Sequence, residues 1–99
     1  MAAVLSLTWA GVTPEQYEAV REQARWEEQV PPGLVLHVAW FEGGALRVTD
    51  VWNRREDFES FFAERLAPAV EKAGISGAPA SDFLPLHRRF VAAGVTGAG

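Results

Sequence analysis

The sequence contains no cysteine. This absence excludes disulfides, thiolate metal sites and a cysteine nucleophile, and it agrees with a reducing compartment. No apolar run approaches the ~20 residues that a membrane-spanning helix requires. No basic segment precedes the apolar residues near the N-terminus, so the sequence shows no signal peptide. We therefore expect a cytoplasmic protein with no membrane partner.

Basic charge is also scarce. Lysine and arginine together number 9 against 13 aspartates and glutamates, and the longest basic runs are the pairs Arg54-Arg55 and Arg88-Arg89. Nucleic-acid-binding domains usually carry a basic excess, so we expect no nucleic-acid partner. Glycine-rich phosphate loops, the nucleophile elbow of serine hydrolases and closely spaced histidine pairs are missing as well. We accordingly expect neither a metal nor a cofactor.

What the chain does contain is aromatic side chains. Its 99 residues include four Trp, six Phe and one Tyr, and 48% of all residues are hydrophobic. This length and composition are typical of one globular domain. We assign that domain to residues 1–91 and interpret 92–99, which is rich in Gly and Ala, as a flexible tail.

Four segments have the composition of β-strands. Gly43-Gly44 separates the second from the third and predicts a tight hairpin. Pro85 removes a backbone donor from the last segment, which favours an edge position or a bulge. The predicted strands are Ala3–Trp9, Leu34–Glu42, Ala45–Trp52 and Phe83–Val91.

Two helices are predicted between these strands. Thr13 caps the first, with Pro14 at its first position and Gln16 completing a capping box, and the helix should run to about Glu28. Asn53 caps the second in the same way, and Pro68 should kink that helix or end it near Leu66. Its apolar face comprises Phe58, Phe61, Phe62, Leu66 and Val70.

The resulting order is βαββαβ, which predicts an α+β, ferredoxin-like fold with a four-stranded antiparallel sheet and two helices on one face. The strands carry apolar residues at both odd and even positions, and therefore on both faces of the sheet. In the first strand, Leu5 and Leu7 belong to one face and Val4 to the other. A sheet that is apolar on both faces needs cover on both. Because no further helix is available, we expect a homodimer formed by sheet-to-sheet packing.

The segment Leu46–Leu66 resembles the dimeric α/β-barrel superfamily, which includes the antibiotic-biosynthesis monooxygenases and the haem-degrading monooxygenases. The resemblance implies a dimeric α/β barrel with a small-molecule pocket between sheet and helices. Phe61 and Glu71 stand where the haem-degrading branch has a Trp and a His, which argues against haem degradation. The resemblance is carried by Asp50, Trp52, Asn53, Phe58 and Phe61.

The hairpin also predicts a polar pair. With a turn at Gly43-Gly44, His37 faces Asp50, and Val35 faces Trp52 one pair along. A carboxylate beside an imidazole fixes its tautomer and suits a general base. The alternative is a cross-strand pair that only satisfies two buried polar groups.

Further candidate residues would bind a small aromatic or hydrophobic ligand. Trp52 and Phe62 would hold a ring, and Tyr17 would donate a phenol proton, with helix packing as its alternative. His87 would share the pocket with His37 or lie at the surface or the dimer seam. Core packing is the alternative for Phe62 and the interpretation for the remaining large aromatics. These are Trp9, Trp40 and Phe61.

Three functions fit these observations. The first is a cofactor-independent monooxygenase or cyclase acting on an aromatic or polyketide-like molecule, with His37 as base and Asp50 orienting it. The second is a non-catalytic binding protein for a hydrophobic small molecule or haem. The third is a structural dimer whose apolar faces serve only assembly. The family resemblance favours the first.

Overall fold

The computed structural model describes residues 1–99. Its sheet has four antiparallel strands in the order β2-β3-β1-β4, which confirms the ferredoxin-like prediction. The helical segments lie against one face of this sheet. The elements are β1 (Ala3–Ala10), α1 (Pro14–Ala24), β2 (Leu34–Glu42), β3 (Ala45–Trp52), α2 (Arg55–Phe61), α3 (Ala67–Lys72) and β4 (Ala80–Pro85).

The first helix begins as predicted and ends earlier. Gln16 N–H donates to Thr13 Oγ1 at 3.1 Å and Thr13 N–H donates to the Gln16 side chain at 3.0 Å, which is the expected capping box. The predicted end near Glu28 is wrong. Arg25 adopts the left-handed conformation at φ 57° and donates its N–H to the Arg21 carbonyl, which closes the helix at Ala24.

The second helical segment also differs from its prediction. Asn53 is not its cap, because Asn53 N–H bonds the Gly33 carbonyl at 2.7 Å and the helix begins only at Arg55. Pro68 does not end it. A π-helical turn, Phe62–Leu66, joins α2 to α3 and places Pro68 in the first turn of α3, where a missing N–H is tolerated.

The last strand is shifted towards the N-terminus. The prediction of Phe83–Val91 is wrong, since β4 covers Ala80–Pro85. This strand runs antiparallel to β1 with Ala3 opposite Pro85, so the ladder ends where β1 begins. Pro85 stands on an edge strand, as predicted.

The core lies between the inner face of the sheet and the helices. Leu5 and Trp52 are its most completely buried large side chains. Trp52 packs edge-to-face on Phe58 at 5.6 Å between ring centroids and lies 5.7 Å from Phe61. The prediction that Trp40 belongs to the core is wrong. Trp40 lies on the opposite face of the sheet with 41% of its surface exposed, because only the inner face is covered by helices.

Candidate functional site

Four polar side chains form one hydrogen-bonded series at the inner face of the sheet. The Tyr17 hydroxyl lies 2.7 Å from His37 Nε2, and His37 Nδ1 lies 2.7 Å from Asp50 Oδ1. Trp52 Nε1–H donates to Asp50 Oδ2 at 3.1 Å. We call Tyr17, His37, Asp50 and Trp52 the polar series. Each of its members has a partner within it, so no buried polar side-chain atom is left unpaired.

The β2–β3 hairpin positions two members of the series. Its turn is Gly43-Gly44, and both glycines have positive φ, at 59° and 75°, which the tight turn requires. The pairing that follows sets His37 opposite Asp50, as predicted. Trp52 follows Asp50 by two residues on the same face of β3, which brings its indole N–H to the free carboxylate oxygen.

A bulge changes the last pair of this hairpin. The prediction that Val35 faces Trp52 is wrong, because the register shifts between Leu34 and Leu36 and Leu34 stands opposite Trp52. The extra residue lies beyond His37, so the His37–Asp50 pair is unaffected.

Helix α1 supplies Tyr17, whose hydroxyl contacts His37 Nε2. Val20 and Ala24 bury one face of α1 against the core, and Tyr17 lies one turn before Val20 on that side. Its half-buried ring is nearly parallel to the His37 imidazole, with 5° between their planes. The phenol hydroxyl is thereby directed at Nε2.

The carboxylate determines the direction of the hydrogen bonds. Asp50 is buried, with 8% of its side chain exposed, and an ionised carboxylate can only accept. The proton of a neutral His37 therefore resides on Nδ1, and Nε2 is left as an acceptor for the Tyr17 O–H. A proton leaving Tyr17 has the imidazole as its immediate destination, and the resulting imidazolium faces Asp50.

Tyr17 resists ionisation without such help. Burial, followed by the nearby charges of Glu18 and Glu27, raises its pKa to about 12 from an ordinary value of 10.0. Asp50 adds to the rise, and Arg21 opposes it. The hydroxyl is thus a neutral proton donor and acceptor at physiological pH.

A cavity of about 70 Å³ adjoins the polar series. His37 and Asp50 are the only two of its 18 lining residues that are not hydrophobic. Leu7, Val20, Val48 and Val70 contribute to the remaining wall, so the cavity extends from the inner face of the sheet to α1 and α3. The surroundings are therefore apolar, and the series is the one polar feature they contain.

Aromatic rings surround His37 on the side of α1. Trp26 lies 5.1 Å from the imidazole and packs edge-to-face on Tyr17 at 5.8 Å between centroids. Phe41 meets Tyr17 edge-to-face at 6.3 Å and is exposed at the edge strand β2. The His37 side chain is 22% exposed, so solvent reaches the imidazole. We call Trp26, Phe41 and Tyr17 the aromatic mouth.

The structure brings together four of the six residues singled out in the sequence. His37, Asp50, Tyr17 and Trp52 all line the cavity. Phe62 lies outside its wall and packs on Phe58 at 5.9 Å. His87 is exposed and follows the end of β4, so it does not share a pocket with His37.

Trp26 was not anticipated at the site. It follows the end of α1 rather than lying on the helix, and the left-handed Arg25 turns the chain so that this indole covers His37. The Pro31-Pro32-Gly33 turn precedes β2 directly, so Trp26 stands in the connection between α1 and that strand.

No group of three or more His, Cys, Asp or Glu side chains is close enough together to hold a metal ion. None of the helices has both the length and the apolar character needed to cross a bilayer.

Solved structures provide the comparison with known proteins. SnoaB from Streptomyces nogalater, described as a cofactor-independent oxygenase, superposes with a TM-score of 0.63 at 14% identity, covering 89% of this chain and 94% of that one. A monooxygenase from the gene ActVA-Orf6 of Streptomyces coelicolor, in complex with the ligand nanaomycin D, gives 0.62 at 18% identity and 93% coverage of both chains. The chain has the fold of the antibiotic biosynthesis monooxygenases.

This monooxygenase fold also occurs in proteins without an assigned role. NE2512 from Nitrosomonas europaea, a protein of unknown function, superposes with a TM-score of 0.67 at 16% identity, covering 94% of this chain and 96% of that one. No protein-family model and no curated protein matches the sequence. At such identities the likeness establishes the fold, and the activity has to be argued from the site.

Proposed function

We propose that this chain is a small-molecule enzyme of the monooxygenase type that needs no cofactor and acts on a hydroxylated aromatic compound. One observation carries the proposal: a directed Tyr17–His37–Asp50 hydrogen-bond series borders an otherwise apolar cavity. The likeness to SnoaB and to the ActVA-Orf6 monooxygenase supports this choice of reaction.

The series acts as a proton relay. A substrate hydroxyl that reaches the Tyr17 oxygen gives up its proton there, while the Tyr17 proton passes to His37 Nε2. The substrate O–H bond breaks, a new Tyr17 O–H bond forms, and the products are a substrate phenolate and an imidazolium. Asp50 remains ionised and stabilises the imidazolium.

The phenolate makes the cofactor unnecessary. Deprotonation raises the electron density of the ring, and an electron-rich ring can transfer electrons to dioxygen directly. A phenol and dioxygen together yield a quinone and water, so the overall reaction balances without a further reductant. The relay then returns its proton to the departing oxygen as water forms.

The aromatic mouth is the place for the ring. The cavity of about 70 Å³ beside it is partly open and continues the same apolar wall. Trp26 and Phe41 offer ring faces and edges beside Tyr17. Trp52 contributes indirectly, because its indole N–H donates to Asp50 and holds the carboxylate in place.

Oxygen consumption tests the proposal. The full chain is incubated with mono- and dihydroxynaphthalenes, a chelator and no flavin, and uptake is compared for wild type, His37→Gln and His87→Gln. The wild type should exceed the uncatalysed rate, His37→Gln should lose about 10²–10⁴-fold, and the exposed His87→Gln should match the wild type. A folded His37→Gln variant with full activity would contradict the proposal.

Two other outcomes identify the alternatives. Product formation that continues without oxygen and still requires His37 indicates a cyclase that uses the same relay. Tight binding of the naphthols with no turnover by wild type indicates a binding protein for hydrophobic small molecules. Both ring nitrogens of His37 are already engaged, which leaves neither free for a haem iron.

We also infer a homodimer formed through the outer face of the sheet, which is the face without helices. Leu36, Val38 and Trp40 of β2 project from it with two-fifths or more of their surfaces exposed, and Leu84 of β4 joins them. A second copy of the same sheet offers a matching apolar surface. Such packing would leave the aromatic mouth on the helix side open.

A further inference from the structure

We propose that the site takes a hydroxylated aromatic compound that is electrically neutral and rejects one that carries a carboxylate, and that Glu18 and Glu27 enforce this choice. That the ligand is a hydroxylated ring rests on the proposed function, and its charge is the new element. The cavity wall has no basic side chain, and two of the three charged side chains beside the aromatic mouth are negative.

The wall of the cavity offers an anion no partner. None of its 18 lining residues is a lysine or an arginine, and 16 of them are hydrophobic. A carboxylate that leaves water for such a wall loses its hydration and gains no ion pair, which is strongly unfavourable. A neutral ligand of the same shape loses much less, so the wall itself favours the neutral form.

The polar groups in the wall do not change this balance. An ionised Asp50 repels a second anion. His37 can take up a proton, but Asp50 Oδ1 lies 2.7 Å from its Nδ1, so the charge of an imidazolium is matched by that carboxylate. The Tyr17 O–H is already donated to His37 Nε2. The wall therefore has no unmatched positive charge to offer a ligand.

Three charged side chains border the aromatic mouth. Arg21 follows Tyr17 by four residues on α1, which places both on the same side of the helix. Its Nε donates to Glu18 at 2.8 Å and its Nη1 donates to Glu27, the residue after Trp26, at 3.2 Å. We call Glu18, Arg21 and Glu27 the charged rim. With two carboxylates and one guanidinium, the rim has a net negative charge, and its cation is already paired.

The charges of the rim act on the Tyr17 hydroxyl. Burial is the main reason why the pKa of Tyr17 is raised to about 12, and Glu18 and Glu27 come next, each outweighing the opposing effect of Arg21. A carboxylate on a ligand whose hydroxyl reaches Tyr17 would meet the same field. The rim thus adds repulsion to the cost of desolvation, and repulsion of the wrong ligand is one way in which binding sites become specific.

A matched pair of ligands tests this selection. A hydroxynaphthoic acid with its two groups on opposite rings and the methyl ester of that acid share the ring and the hydroxyl but differ in charge at neutral pH. Their dissociation constants for the full chain are measured by isothermal titration calorimetry without oxygen, so that no turnover interferes. The ester should bind about tenfold more tightly than the acid. Added salt should reduce this ratio, because the exposed charges of the rim are screened. Equal binding of acid and ester would overturn the inference.

Removal of single charges from the rim is the second test. Glu18→Gln and Glu27→Gln should each lower the preference for the ester by roughly two- to fivefold, the range expected of exposed charges. Arg21→Gln should raise it. Because the preference is a ratio measured within one variant, a partial loss of stability affects both ligands alike, and either glutamate variant suffices if the other does not fold. Glu59→Gln, exposed on α2, is the matched control and should keep the wild-type ratio. An unchanged ratio in the rim variants would overturn the role of Glu18 and Glu27.

Turnover separates this inference from the proposed function. An ester that binds in preference to the acid but is oxidised equally well by a folded His37→Gln variant would contradict the relay and leave the charge selection intact. Oxygen uptake that depends on His37, with acid and ester binding alike, would contradict the charge selection and leave the relay intact. Binding of neither compound would overturn both.

Discussion

The Tyr17 hydroxyl lies 2.7 Å from Nε2 of His37, on the opposite side of the imidazole from Asp50. This contact changes what the cross-strand pair can do. A His–Asp pair alone orients a base, whereas a phenol at the second nitrogen extends the proton path from the sheet to a helix and to the protein surface. The chain has no other tyrosine, so every tyrosine signal reports on this contact.

Titration of the phenol is the first prediction. The phenolate absorbance of wild type should rise with a midpoint near 12. Glu18→Gln should move the pKa of Tyr17 downward, because the variant removes a negative charge that opposes ionisation and leaves Arg21, which favours it, without that partner. Glu59→Gln, on the exposed face of α2, should leave the curve in place. An ordinary midpoint of 10.0 in wild type would contradict the buried contact.

The same shift predicts a loss of stability at high pH. The pKa of Tyr17 is about 12 in the folded chain and 10.0 in the unfolded chain, so the unfolded state releases this proton more readily. The contribution of Tyr17 is complete below pH 10 and should be lost as pH rises towards about 12. Urea midpoints measured across this range should fall for wild type and fall less for Tyr17→Phe. Equal slopes for the two proteins would exclude the linkage.

Part of the site follows from the sequence because strand pairing is periodic. Gly43-Gly44 fixes the hairpin, alternation fixes the face, and the His37–Asp50 pair results from counting along two strands. The contact between Tyr17 and His37 could not be predicted by counting residues along strands. It depends on how α1 docks on the sheet, which is decided by packing among Val20, Ala24 and the rest of the core.

The wrong predictions for the last hairpin pair and for the last strand also have physical causes. A single extra residue between Leu34 and Leu36 shifted the last pair of the hairpin, and β2 itself contains no glycine or proline that would mark it. The apolar residues after Pro85 resemble a strand, but β1 offers them no further partner. Local pattern thus predicted the elements, while their ends depended on neighbours distant in the sequence.

Removing the charge of Asp50 should weaken both fold and relay. Asp50→Asn leaves one acceptor oxygen for two N–H donors, those of His37 and Trp52, and the free energy of unfolding should fall by about 1–3 kcal/mol. An imidazole that moves its proton to Nε2 to suit the amide would reverse the Tyr17 bond and lose its function as a base. Denaturant unfolding measures the loss, with exposed Asp82→Asn, expected within ~0.5 kcal/mol of wild type, as the control. Equal stability of the two variants would count against a buried, doubly bonded carboxylate.

Gly33 is predicted to be intolerant of a side chain. It has φ +89°, and a Cβ at this position would collide with the Asp57 side chain, which pairs with Arg54 at 3.1 Å. Gly11 has a similar φ, +82°, with open space around it. Gly11→Ala should therefore cost about 1–2 kcal/mol of backbone strain, and Gly33→Ala should cost roughly 1–3 kcal/mol more. Thermal or denaturant unfolding of both variants measures the difference, and equal losses would show that Asp57 moves aside freely.

The homodimer is tested by placing one charge on the outer face of the sheet. Val38 lies in the middle of β2 with 45% of its surface exposed, so Val38→Asp should fold as a monomer and fail to dimerise, because its carboxylate would be buried unpaired against the second sheet. Val30→Asp is the matched control, since Val30 is 62% exposed in the connection between α1 and β2. Light scattering across a range of protein concentrations should give dimers for wild type and Val30→Asp and monomers for Val38→Asp. A wild type that stays monomeric at every concentration, or a Val38→Asp variant that dimerises normally, would mean that copies of this chain do not pair through this face, and the exposed Trp40 and Leu84 would then need another partner.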